Sequence, residues 1–192
     1  MNDGPPGFWA QLLGRPTHRL AHPTAHAWRI ARLSGRVGQR LGLRGRDLWH
    51  LFCGALLHDT GKLFVPGRIL NKPGRLNDAE WQVVRRHPGY GARLARCLPG
   101  CPATVVRTVL HHHERWDGCG YPHGLRGDQI PLGAQIIAVC DVYDALLSRR
   151  PYKRAWTHAE ALGELQAQAG QQFGVQVLSA FLSELGGAAL SA

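Results

Sequence analysis

The residue types best suited to chemistry fall in two adjacent pairs, His58-Asp59 and His112-His113, with His26, His87 and Asp141 as further imidazole and carboxylate donors. Neighbours on a helix project about 100° apart, so such a pair does not readily chelate one ion but can serve two ions side by side. Mixed nitrogen and oxygen donors suit iron, manganese or zinc rather than a thiolate-rich structural site. Two such ions, roughly 3.5–4 Å apart, can activate a shared water and clamp a phosphodiester for in-line attack. Taken singly the signals are weak. His26 or His87 alone reads as an ordinary surface or core histidine, and His111-His112-His113 as a solvated basic patch. Asp141 is harder to dismiss, because it interrupts an apolar helix beside Val139 and Val142, and an unpaired buried carboxylate is costly. The basic residues add a second signal. Of 23 Lys and Arg, only Lys62, Lys72 and Lys153 are lysine. In a chain so biased toward arginine, a compact, mobile ammonium marks positions where a flat guanidinium would not serve.

The elements that must position these groups read as helices throughout. His26 to Leu41 places Ile30, Leu33, Val37 and Leu41 on one face. Asp47 to Asp59 is a strongly apolar helix that ends on the His-Asp pair. Asn77 with Glu80, and Thr157 with Glu160, have capping-box spacing and open two more helices. Further helices are expected from about Pro102 to His113, over Leu132–Ser148, and over Val175–Leu185, with a glycine-rich loop from Asp117 to Pro131. No segment shows strand periodicity, so the expected fold class is all-α, a single-domain helical bundle with a metal centre between helices.

Composition narrows the function classes. A chain of 192 residues with 44% hydrophobic content fills one sizeable core. No apolar run approaches the ~20 residues of a membrane span, and Met1 to Pro6 lacks a signal-peptide pattern. Five cysteines at irregular spacings do not form a disulfide framework, and a cytoplasmic location with no membrane contact is expected. The formal charge of +10 fits steering of an anionic substrate. No stripe of basic residues with interleaved aromatics argues for a specific nucleic-acid partner.

His58-Asp59-Thr60-Gly61-Lys62 resembles the HD-x-G-K motif of HD-domain metal-dependent phosphohydrolases, and His112-His113-Glu114 through Gly120-Tyr121-Pro122 resembles the motif that names the HD-GYP phosphodiesterases. Asp141 to Leu146 and Arg149 to Lys153 resemble that family's downstream segment. The resemblance implies an HD-type bundle over residues 17–185, between an N-terminal extension (1–16) and a C-terminal tail (186–192). It implies metal ligation by His26, His58, Asp59, His87, His112, His113 and Asp141, with Asp59 bridging ions. It implies two divalent ions, iron or manganese. His22 replaces a glutamate that trinuclear members carry, which makes it the candidate ligand for a third ion. Asp59 and Lys62 would be catalytic, with Lys62 on the scissile phosphate. Lys62, Tyr121, Asp144, Arg150 and Lys153 would contact a cyclic dinucleotide. The implied activity is hydrolysis of cyclic di-GMP to linear pGpG and onward to GMP. Regulation through a protein partner, the metal's redox state or oligomerisation stays open. Hydrolysis of another cyclic dinucleotide or nucleotide ester is the alternative, as is a weakly catalytic binding module. Glu114 is expected to hydrogen-bond beside the ligands, Cys119 to be a bystander, and Lys72 has no chemical role on this reading.

Overall fold

The computed structural model describes residues 23–148 and 155–186. Nine α-helices follow one another in these residues: α1 (Pro23–Arg40), α2 (Gly45–Leu57), α3 (Gly67–Leu70), α4 (Asp78–Val84), α5 (His87–Cys97), α6 (Ala103–His111), α7 (Leu132–Leu147), α8 (His158–Ala167) and α9 (Val175–Glu184). Short 3₁₀ turns cover Thr60–Phe64 and Gly127–Gln129. No strand is present among the described residues.

Helix α7 is the central element. Its Ile136, Ile137, Val139, Cys140, Val142 and Leu146 are buried together with Ile30 and Val37 of α1, Leu51 of α2 and Phe181 and Leu182 of α9. A helix that is apolar nearly all round must be enclosed by others, and α1, α2, α6, α8 and α9 all pack on α7. A smaller cluster joins Ala92 and Ala95 of α5 to Val106 and Val109 of α6. Both expected capping boxes form: Asn77 accepts from the Glu80 amide and Thr157 from the Glu160 amide, each glutamate returning the bond. Lys72 now has a structural place, since its ammonium pairs with both carboxylate oxygens of Glu80 at 2.9 and 2.6 Å.

Helix α5 was not expected, because Pro88, Gly89 and Gly91 lower intrinsic helix propensity. Packing explains it. A Cβ on Gly61 would lie 1.9 Å from the His87 carbonyl oxygen and 2.5 Å from the Gly91 amide nitrogen. The turn carrying Gly61 therefore rests backbone to backbone on the first turn of α5, and glycine is needed at 61; a Cβ on Gly91 would press on Val109 at 3.0 Å. This contact sets His58, Asp59 and Lys62 beside His87.

Candidate metal centre

Three helices end at the centre, and each supplies a carbonyl that its own hydrogen-bond ladder leaves unused. Nδ1 of His58 donates to the Ala55 carbonyl at 2.7 Å, and that of His112 to Val109 at 2.7 Å. Nδ1 of His87 donates to Val84, the last residue of α4, at 2.8 Å. With Nδ1 protonated in all three, each Nε2 carries a lone pair. The bonds fix both tautomer and ring direction, which the sequence pattern alone did not reveal.

These lone pairs converge with carboxylate oxygens in two adjoining clusters. Asp59, His87, His112 and His113 form one, and His26, His58 and Asp141 the other, with ligand atoms in each group within 4.8 Å of one another. Asp59 touches both: Oδ1 lies 3.3 Å from His87 Nε2 and Oδ2 3.5 Å from His58 Nε2. The Nε2 atoms of His87 and His112 stand 3.4 Å apart. Since both rings donate through Nδ1, the two nitrogens meet as acceptors. His58 Nε2, His113 Nε2 and Asp59 Oδ1 are buried without a hydrogen-bond partner. Buried acceptors facing acceptors are costly unless a cation lies between them, so the donor set fits divalent ions.

The electrostatics agree. Burial pushes His87, His112 and His113 down, His112 to about 3, reinforced for His112 and His113 by neighbouring imidazoles, so these rings stay neutral and able to ligate. Burial opposes ionisation of Asp59, but the Lys62 ammonium beside it holds its carboxyl well below the usual range. Burial opposes protonation of His26 too, yet its hydrogen bonds to Asp141 and Asp144 raise it to about 10. In the metal-free protein His26 is therefore an imidazolium, with Nε2 3.2 Å from Asp141 and Nδ1 2.8 Å from Asp144. An ion held through Nε2 would have to displace the proton there.

All seven expected ligands within the described residues are thus brought together. His22, Arg150 and Lys153 lie outside the described residues. Lys62 reaches Asp59 Oδ2 at 2.5 Å and stays partly exposed. The two other expected pocket residues are placed differently from a simple lining. Asp144 binds His26 through Oδ2 and the Arg29 guanidinium through both oxygens, at 2.6 and 2.9 Å, so its carboxylate orients the His26 ring, an expected ligand. Tyr121 is buried, its ring stacked on His113 at 4.9 Å with Arg85 over its face at 4.8 Å. Glu114 bonds the backbone amides of His123 and Leu125, at 2.8 and 3.1 Å, and so pins the loop that carries Tyr121. Gly120 is required there, since a Cβ would lie 2.4 Å from the Arg115 nitrogen.

The HD domain profile matches residues 17–177. The chain belongs to the HD-domain family. It is 53% identical over 131 residues to a cyclic di-GMP phosphodiesterase of Pseudomonas aeruginosa, covering 68% of this chain and 31% of that protein. It is 44% identical over 169 residues to a cyclic di-GMP phosphodiesterase response regulator of Xanthomonas campestris, covering 86% of this chain and 44% of the relative. The chain thus spans less than half the length of these relatives. Among solved structures, an HDG"Y"P protein from Bdellovibrio bacteriovorus superposes with a TM-score of 0.70 at 24% identity, over 86% of this chain and 53% of that one. That likeness concerns the fold. HD-domain phosphohydrolases are metal-dependent, in keeping with the donor set. No helix among the described residues is long and apolar enough to cross a membrane.

Proposed function

We propose that this HD domain is a metal-dependent phosphodiesterase that opens cyclic di-GMP to linear pGpG, with GMP as a further product. The observation that carries the reading is the bridging carboxylate: Asp59 presents one oxygen to each of two imidazole clusters and holds Lys62 on the same side. The relatives named as cyclic di-GMP phosphodiesterases supply the substrate class.

His87, His112 and His113 with Asp59 would hold one ion, and His26, His58 and Asp141 with Asp59 a second. Iron or manganese fits these donors, and His22 is the candidate for a third ion. Bound there, divalent ions supply Lewis acidity toward phosphoryl oxygens and lower the pKa of a coordinated water. The chain's own groups do the rest. Carbonyl-locked rings keep the donor lone pairs aimed without reorganisation. The Lys62 ammonium, anchored by Asp59, would balance charge building on a phosphate. Arg29 and Asp144 hold His26 in register. Arg150 and Lys153 are proposed to meet the guanine edges and the second phosphate, and Tyr121 to form the wall behind His113. A cytoplasmic location and control by a regulatory partner complete the reading.

The test is anaerobic incubation of iron- or manganese-loaded protein with cyclic di-GMP, with products resolved by chromatography and a His58→Ala control. Linear dinucleotide or GMP that disappears in the control is the expected result. Turnover of a different cyclic dinucleotide alone would reassign the substrate. Saturable binding without product, despite verified loading, would make the domain a sensor.

A further inference from the structure

A third group of donors lies outside the two clusters. His111, Glu114 and His123 bring one ligand atom each within 4.8 Å of one another. His111 is the last residue of α6, and its Nδ1 donates to the Arg107 carbonyl at 2.8 Å, which leaves the Nε2 lone pair facing His123 Nδ1 at 3.0 Å. Glu114 is only 3% exposed. Its carboxylate accepts two backbone amides, and no cationic side chain pairs with it among the described residues. A carboxylate has about four lone-pair positions, so two remain for a cation. A buried carboxylate beside two imidazoles, with only backbone amides as partners, has unused lone pairs to offer a cation.

We propose that His111, His123 and Glu114 form a separate divalent-cation site that fastens the 114–127 loop to the end of α6. With metal–nitrogen distances of about 2.0–2.1 Å, a 3.0 Å separation of the two nitrogens corresponds to a ligand–metal–ligand angle of roughly 95°. That angle suits a tetragonal or octahedral ion such as nickel(II) or copper(II), and a few tenths of an ångström of opening accommodates tetrahedral zinc. Because Tyr121 lies on the fastened loop and stacks on His113, the ion would stiffen one wall of the main centre. The proposal does not depend on the phosphodiesterase reading.

His123 is exposed, so its replacement spares the core. Wild type, His123→Ala and His123→Gln are loaded with manganese, and the manganese content of each is measured. Each is then equilibrated with nickel(II), and total bound metal is counted by elemental analysis. The expected result is equal manganese content at the start and one ion per chain fewer in both variants after nickel. Backbone amide exchange over residues 118–127 should slow at least tenfold with nickel in the wild type and not in the variants. Equal totals in all three proteins, or no slowing in the wild type, would overturn the proposal. A variant that starts with less manganese would overturn it too, because His123 would then belong to the main centre.

Discussion

Metal loading should release one proton from one cluster and none from the other. In the metal-free protein His26 is held at about 10 between Asp141 and Asp144, so at pH 7.5 it is almost fully protonated. His112 is pushed down to about 3, and His87 and His113 are also lowered, so these rings are neutral at that pH and have no second proton to lose to an ion. An ion entering the His26, His58, Asp141 cluster must displace the His26 proton. At about 1.4 kcal/mol per pH unit, the gap between pH 7.5 and about 10 costs on the order of 3 kcal/mol, a few hundredfold in apparent affinity. That penalty shrinks about tenfold per pH unit up to pH 10, whereas the other cluster is flat above pH 7. The assay is calorimetric titration of metal-free protein with manganese at pH 7.5 in two buffers of different ionisation enthalpy. About one proton per chain should appear with the weaker of two binding events. Release of no proton with the weaker event would refute the assigned protonation state of His26; a proton released at the other site would come from coordinated water, not from its imidazoles.

Lys62→Ala should lower kcat by roughly 10²–10³ without loss of bound metal, and Lys62→Arg should not restore it, because a planar fork cannot take the ammonium's place against Asp59. Steady-state kinetics with elemental analysis checks both parts, and equal activity in the arginine variant would count against the role. Gly61→Ala forces a Cβ to within 1.9 Å of a backbone oxygen, and a cost of at least about 3 kcal/mol should lower Tm by roughly 6–12 °C; a shift under 2 °C would mean that the turn is not rigidly seated. The metal-free protein should be most stable near pH 6.5. Below that, His112 with its lowered folded value binds protons only when unfolded, so its contribution is lost as pH falls from 6.5 toward 3, about 2 kcal/mol of it by pH 5. Above that, the raised His26 contributes stability that is full below 6.5 and is lost as pH rises toward 10. Urea midpoints across pH 5–9 should trace this dome, and a plateau would contradict it.

The parts of this molecule legible in the sequence are those that depend on neighbours along the chain. Capping pairs at Asn77/Glu80 and Thr157/Glu160, and the apolar faces of α1, α2 and α7, are local patterns and form as expected. The candidate ligands could be named because their types and motifs are distinctive, and the fold brings them together. What sequence did not reveal is set by long-range contact. Helix α5 exists because Gly61 lets two backbones touch, a gain that outweighs poor propensity. Asp144 meets His26 across 118 residues, so its orienting role appears only when α1 and α7 pack together. The pairing of His111 with His123 needs the 114–127 loop to fold back on α6, which no periodicity announces.

Asp59→Asn separates the two clusters more sharply than any alanine substitution would. The amide keeps the shape of the carboxylate but offers one oxygen and one NH₂ in place of two oxygens. On one side stands the Lys62 ammonium, 2.5 Å from Oδ2, which accepts no hydrogen bond. On the other stand the lone pairs of His87 and His112, 3.3 and 3.9 Å from Oδ1, which do accept one. The amide should therefore turn its oxygen to Lys62 and its NH₂ to His87. The His87, His112, His113 cluster then loses its only oxygen donor and gains an N–H aimed into the ion's position, whereas His26, His58 and Asp141 keep their own carboxylate. Bound manganese should fall by one ion per chain, and the remaining ion should keep the proton-linked affinity of the His26 cluster. Loss of both ions, or retention of both, would show that Asp59 does not divide its oxygens between two sites.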